Sequence, residues 1–186
     1  MKKTSIFTSI VLVIAMGLIA TSCRSTPDGP PPDDIPEWLR ENQTHLRQQG
    51  HRAEWAMATM ANPSRARAVA ATRARVELAT WLAAEASGAV RDEGAGADMD
   101  IQAADEAARI VNDVITRQTL VGTYIVHESL NGHTSHVLVK LPRDRIAENL
   151  EIARNSAVRQ VQADASARVA PDDLALLMGR VIGRFL

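Results

Sequence analysis

The chain has 186 residues, a formal net charge of −1 and only 3% aromatic residues. Its length is sufficient for one domain plus a targeting segment. The absence of a basic stripe argues against nucleic acid as a partner, and a single cysteine excludes an internal disulfide.

Residues 1–22 are predicted to be a secretory signal peptide. Lys2 and Lys3 precede an apolar run over residues 6–20, which is shorter than the ~18–20 residues of a membrane-spanning helix. Small residues then lead to Cys23, and cleavage is expected directly before that cysteine. The fold is therefore expected to begin after residue 22.

The residues that end the signal peptide and follow its cleavage site, Ala20-Thr21-Ser22-Cys23, resemble the lipobox of bacterial lipoproteins. Ala20 stands where that motif usually has leucine. The resemblance implies a diacylglycerol on the Cys23 thiol and an acyl chain such as palmitate on the new amine. It also implies an outer-membrane location in the bacterial cell envelope, because Arg24 replaces the aspartate that is typical of inner-membrane retention. The same residues also fit an ordinary cleavage site, which would leave the protein without lipid.

Residues 23–36 are interpreted as the lipidated cysteine and a linker. Five of residues 24–36 are prolines, which lack a backbone donor and favour polyproline II. At ~3.1 Å per residue, such a linker holds the domain up to ~40 Å from the bilayer.

One strand and two helices are predicted for the first part of the domain. A polar segment over 38–50, which forms a short helix or a loop, precedes alternating residues over 54–61 that indicate a strand. Apolar residues at helical spacing then predict helices over 65–91 and 99–116. Their inner positions are Ala66, Ala70, Ala74, Leu78, Trp81 and Leu82 in the first helix, and Ile101, Ala104, Ala108, Val111 and Ile115 in the second.

A β-hairpin is predicted from strands over 120–128 and 135–141, with Asn131-Gly132 as its two-residue loop. This loop places Ile125 opposite Leu138 and His127 opposite His136. The predicted core face holds Tyr124, Val126, Val137 and Val139.

Two C-terminal helices complete the expected fold, one over 145–167 and one that begins at Pro171. The apolar side of the last helix is expected to dock onto the domain or to mediate self-association, with a membrane contact as the alternative. We predict an α+β fold, a small antiparallel sheet packed on helices, with a domain over 37–142 and a helical extension over 143–186. The apolar positions are Ile146, Leu150, Ala153, Ala157 and Val161, then Leu174, Leu177, Met178, Val181 and Phe185.

The histidines of the hairpin are weak candidates for a metal site. In the predicted register His127 and His136 share one face, with Cβ atoms ~5 Å apart. No third ligand is placed by spacing, and catalytic zinc usually has three protein ligands. Solvated histidines on the outer face of the hairpin are therefore the favoured interpretation.

The sequence gives no support for nucleophilic catalysis or for a phosphate-binding loop. Nucleophile-elbow and phosphate-loop motifs are absent, so neither an enzyme nor a cofactor is expected. Arg65, Arg67, Arg73 and Arg75 crowd the first long helix, where they form either a patch for an anionic polymer or lipid, or an ordinary solvated face. The solvated face is the favoured interpretation.

The order of these features resembles the LPP-twenty lipoprotein family, which includes a flagellar outer-membrane lipoprotein. The resemblance covers residues 36–141 and rests on Pro36-x-Trp38, a strand, and a helix with the spacing of Ala66, Ala70, Ala74 and Leu78. The family's strand usually contains glycines, and here Ala56 and Ala58 stand instead. The resemblance implies a compact, dodecin-like α+β domain that acts by assembly or contact, and it transfers no catalytic residue.

The sequence therefore predicts a lipid-anchored envelope lipoprotein without catalytic activity. Its expected partners are the membrane, through the lipid, and either further copies of itself or another envelope protein. The main alternative is a periplasmic binding module that regulates a cell-wall or flagellar machine. An enzyme that uses a metal at His127 and His136 is the remaining hypothesis.

Overall fold

A computed structural model of the protein describes residues 35–186. The predicted signal peptide, Cys23 and the linker up to residue 34 lie outside the described residues. The predicted α+β fold with a small antiparallel sheet packed on helices is confirmed. Its elements in chain order are α1 (Glu37–Gln48), β1 (Arg52–Thr59), α2 (Pro63–Gly96), α3 (Ile101–Arg117), β2 (Tyr124–Asn131), β3 (Thr134–Leu141), α4 (Arg143–Ala163) and α5 (Pro171–Gly183).

Helix α2 is longer than the sequence predicts, because it continues past residue 91 to Gly96. At its start the Asn62 side chain accepts a hydrogen bond from the backbone N–H of Arg65 at 3.2 Å, which satisfies one of the free amides of the first turn. Near its end Gly94 lies directly against α3, where a Cβ atom would come within 2.9 Å of the Cβ of Ala104. The glycine therefore serves close helix packing and does not end the helix.

Helix α3 packs on α2 through the predicted seam, with one exception. Ala104, Ala108, Val111 and Ile115 are buried, but Ile101 is 79% exposed. Ile101 is the first residue of the helix, after the Asp100 side chain that caps it, and so it precedes the part that packs against α2. The prediction that Ile101 belongs to the core is wrong.

The sheet has the strand order β1-β3-β2, with every pair antiparallel. Alternate side chains of β3 point to opposite faces. Val137 and Val139 enter the main core that includes α2, whereas Leu138 enters a smaller cluster with Leu39 of α1 and Ala53 of β1. The central strand is therefore covered on both faces.

The predicted register of the hairpin is wrong by two residues. The loop is Gly132-His133, not Asn131-Gly132, and His127 therefore lies opposite Leu138 while Ser129 lies opposite His136. Gly132 has a φ of 58°, and no positive φ occurs at His133. A glycine that alone carries the positive φ at the first loop position is typical of a type II′ turn, whereas the predicted loop would require positive φ at both positions.

The core face of β2 also differs from the prediction. The register shifts between Ile125 and His127, which makes Val126 the extra residue of a β-bulge. Ile125 packs against the main core, Val126 packs against the smaller cluster, and Tyr124 is 45% exposed. The assignment of Tyr124 and Val126 to the core face of Val137 and Val139 is therefore incorrect.

The C-terminal helices pack into the same core as α2 and the sheet. The predicted apolar stripe of α4 is buried throughout, and the predicted stripe of α5 is buried except for Phe185, which follows the helix and is partly exposed. The stripe of α5 therefore docks onto the domain, as predicted. The buried residues are Ile146, Leu150, Ala153, Ala157 and Val161 of α4, and Leu174, Leu177, Met178 and Val181 of α5.

Candidate functional site

The described chain begins on the face of the sheet that α1 covers. Ile35 and Trp38 pack against the cluster of Leu39, Ala53 and Leu138. Cys23, the predicted lipidation site, lies outside the described residues. The segment that follows it therefore joins the domain at the start of α1.

The two histidines of the metal hypothesis do not lie opposite each other. His127 is exposed, and its ring centroid is 5.7 Å from the ring of Trp38. His136 lies opposite Met57 on one side and Ser129 on the other. Within residues 35–186 no group of three or more histidine, cysteine or acidic residues is arranged to hold a metal ion.

His136 is buried in the sheet, not solvated as the sequence predicts. It is only 5% exposed, and neither ring nitrogen has a hydrogen-bond partner among residues 35–186. Burial lowers the pKa of His136 because the charged imidazolium loses its hydration. The side chain is therefore held in its neutral form as part of the packing.

The remaining histidines lie apart from these two. His45 is exposed on α1, where its Nε2 lies 2.9 Å from Nε2 of Gln49. His51 follows α1, and its Nδ1 accepts a hydrogen bond from the backbone N–H of Arg143 at 3.3 Å. His133 occupies the hairpin loop. Within residues 35–186, none of these three histidines belongs to a metal-binding group with His136.

The outer edge of β1 is occupied by side chains. Nε2 of Gln43 donates to the carbonyl oxygen of Ala53 at 2.8 Å, and Nη1 of Arg73 donates to that of Met57 at 3.0 Å. Both acceptors belong to a strand that pairs only with β3 in the described sheet. These two bonds satisfy carbonyl groups that an added strand would need.

The outer edge of β2 has no such cover. Among residues 35–186, no side chain bonds the backbone of β2, and β3 is its only strand partner. Apolar side chains project from this strand, since Tyr124 is 45% exposed and Leu130 is 55% exposed. An uncovered edge strand presents unpaired N–H and C=O groups that can pair with another chain.

The arginines of α2 hold the sheet instead of forming a free basic patch. Arg67 pairs with Glu128 of β2, and Nε of Arg75 donates to the hydroxyl of Thr123 at 3.1 Å. Arg73 reaches β1, as described above. Three of the four arginines at positions 65–75 thus bond the sheet or the residue before it, a role that helical spacing alone does not reveal.

Sequence reasoning also misses Asn149, a buried polar residue of α4. It is fully inaccessible, and its Nδ2 donates to the carbonyl oxygens of Val121 at 3.0 Å and Arg145 at 2.7 Å. Its Oδ1 accepts from the backbone N–H of Val121 at 2.9 Å. The only signal in the sequence is a polar residue beside Leu150 in an otherwise apolar stripe.

No family model, curated protein or solved structure matches this chain. The resemblance to the LPP-twenty family therefore stays a prediction. None of the helices in the described range 35–186 is both long enough and apolar enough to cross a membrane.

Proposed function

We propose that this protein is a lipid-anchored, non-catalytic component of the bacterial cell envelope that self-associates through the outer edge of β2. The apolar run before Cys23 and the small residues Ala20-Thr21-Ser22 support the proposal that Cys23 carries a lipid anchor. The self-association rests on one observation: side chains occupy the edge of β1, whereas none within residues 35–186 occupies the edge of β2.

A second copy of the chain fits the edge of β2. Two identical strands can pair antiparallel about a two-fold axis, so that each copy contributes the same surface to the contact. Pairing of β2 with β2 would join two three-stranded sheets into one and satisfy the main-chain groups of both edges.

The anchor favours contact between copies over contact with a soluble partner. Confinement to one surface raises the effective concentration of neighbouring copies, which strengthens an interface that is weak in solution. The apolar stripe of α5, the other surface considered for assembly, is buried in the protein's own core. We therefore assign the contact between copies to the edge of β2.

Sedimentation of the mature chain with Cys23→Ser, which removes the lipid, tests the self-association. We expect dimers at high protein concentration and mainly monomers for Leu130→Lys, because a charge on an edge strand opposes pairing with another strand. Leu130 is 55% exposed, so its replacement should leave the fold intact.

Leu176→Lys on α5 is the matched control, because Leu176 is 58% exposed and lies outside the sheet. It should sediment like the parent chain. A parent chain that stays monomeric at every concentration, or equal loss of dimer in both variants, would contradict the proposal.

Metabolic labelling tests the anchor separately. Labelled palmitate should enter the wild-type protein and be absent from Cys23→Ser, because the thiol is needed before the new amine can be acylated. An unlabelled wild-type protein that is nevertheless processed would show that residues 1–22 act as an ordinary signal peptide.

A further inference from the structure

A cavity of about 310 Å³ lies where four helices meet the first strand. Its wall is formed by the turn between α1 and β1, by Trp81 of α2, and by the start of α4 and the end of α5. Four arginines from these elements line it, together with three apolar residues. The arginines are Arg47, Arg52, Arg143 and Arg184, and the apolar residues are Trp81, Ile146 and Phe185.

Positive charge exceeds negative charge around this cavity. Glu54 pairs with both Arg47 at 3.0 Å and Arg52 at 2.6 Å, and Glu93 pairs with Arg184. Arg143 has no ion pair within residues 35–186. Two carboxylates thus face four guanidinium groups, and one of these guanidinium groups is left without a charged partner in the described protein.

Arg52 is held in place beside an aromatic wall. Its guanidinium carbon lies 4.6 Å from the ring centroid of Trp81, and Glu54 fixes one of its terminal nitrogens. Its Nε is buried and has no acceptor among residues 35–186. The Arg52 side chain is 26% exposed, and its second terminal nitrogen, which does not pair with Glu54, is left as the donor for a ligand oxygen.

The titratable groups around His51 do not change the net positive charge of this cavity. Burial is the main cause that lowers the pKa of His51, Lys140 lowers it further, and Asp144 acts in the opposite direction. Nδ1 of His51 already accepts from the backbone of Arg143, so His51 positions the start of α4. Asp144 lies 3.7 Å from Arg145, which offsets its charge.

We propose that this cavity binds an oxyanion, phosphate or carboxylate, attached to a small apolar or aromatic group. Guanidinium groups bind such oxyanions through paired hydrogen bonds, and Arg52 and Arg143 supply donors for them. Trp81, Ile146 and Phe185 provide the apolar surface for the rest of the molecule. The volume lies at the lower end of the range for small-molecule sites.

Titration of the purified full-length protein, in a non-ionic detergent, with phenyl phosphate and with inorganic phosphate tests this site. We expect saturable binding of phenyl phosphate, measured by calorimetry and by a change in tryptophan fluorescence that Trp81→Phe removes. Inorganic phosphate should bind more weakly, because it makes no contact with the apolar wall. Absence of saturable binding of either probe would overturn the proposal.

Arg143→Gln should weaken the binding of phenyl phosphate about tenfold, the effect of one lost charge-assisted hydrogen bond. Arg159→Gln, on the same helix but outside the cavity, should bind phenyl phosphate like the wild type. Both variants should unfold at the wild-type temperature, because both side chains are exposed. Unchanged binding in Arg143→Gln, or an equal loss in Arg159→Gln, would contradict the assignment.

Vesicles distinguish the two sources of the oxyanion. For the mature Cys23→Ser chain, which carries no lipid, displacement from phosphatidylglycerol vesicles by phenyl phosphate, with no binding to phosphatidylcholine vesicles, would support the proposal with a lipid headgroup as ligand. Saturable phenyl phosphate binding without such displacement would support it with a soluble ligand.

Discussion

Asn149 connects α4 to the loop that precedes β2. Its amide group pairs with both the N–H and the carbonyl oxygen of Val121, so two main-chain groups of this loop depend on one side chain. Gln118 also donates to the main-chain oxygen of Asn149 at 3.1 Å. This residue therefore fixes where the chain leaves α3 and enters the sheet.

Asn149→Ala should lower the free energy of unfolding by about 2–3 kcal/mol, because it removes the hydrogen bonds of a fully buried side chain. Asn155→Ala, an exposed position on the same helix, is the control and should change stability little. Denaturant unfolding measures both. Equal stability of the two variants would show that the buried bonds contribute nothing.

His136 affects the dependence of stability on pH. Its pKa in the folded protein is lowered by burial from 6.5, so the unfolded chain binds a proton more readily below that pH. The stability associated with neutral His136 is therefore complete above about pH 6.5 and is lost as the pH falls toward its folded-state pKa.

His136→Leu removes this loss along with two buried nitrogens that lack partners. We expect the variant to be more stable by about 1 kcal/mol at neutral pH, and this advantage should grow as the pH falls below 6.5. His133→Leu in the hairpin loop should keep the wild-type pH profile. Parallel profiles for wild type and His136→Leu would contradict the assignment.

At the scale of elements, helical periodicity predicts the helices well, because packing faces recur at fixed spacing. All five inner positions predicted for α4 are buried. Helix ends are less predictable, since Gly94 lies inside α2 on account of a contact with Ala104 that no local pattern contains. The role of a glycine within a helix therefore depends on tertiary contacts.

In the hairpin, a local sequence pattern predicts the wrong strand pairing. Asn131-Gly132 fits a two-residue loop, but the strands pair around Gly132-His133, and the bulge at Val126 shifts the register again. Alternation within β3 is retained, so Val137 and Val139 are in the core as predicted. The pairing of His127 with His136 is lost, because it depended on the register.

The difference between the sheet edges arises only in three dimensions. Gln43 and Arg73 lie 10 and 16 residues from the carbonyl groups that they occupy, and they come from helices on either side of β1. No spacing rule links these side chains to the strand. The sequence therefore predicts assembly through family resemblance, and the candidate surface is identified from the folded chain.

At the scale of the whole molecule, the proposed function combines a membrane tether with a contact surface. The predicted lipid on Cys23 determines where the protein works, and the segment after it meets the domain at α1. The main core spans α2, α3, the sheet and both C-terminal helices, and β2 lies at the edge of this packed domain. These two features are the basis on which we propose self-association of tethered copies.

Hydrogen exchange along β2 reports on self-association through this edge at the level of single backbone amides. In Cys23→Ser, raising the protein concentration should slow exchange of backbone amides within Tyr124–Asn131 while exchange in β1 stays constant, because only the edge of β2 gains hydrogen bonds. Leu130→Lys should remove the concentration dependence, and Leu176→Lys should retain it. Rates in β2 that are the same at all concentrations in the parent chain would contradict self-association through this edge.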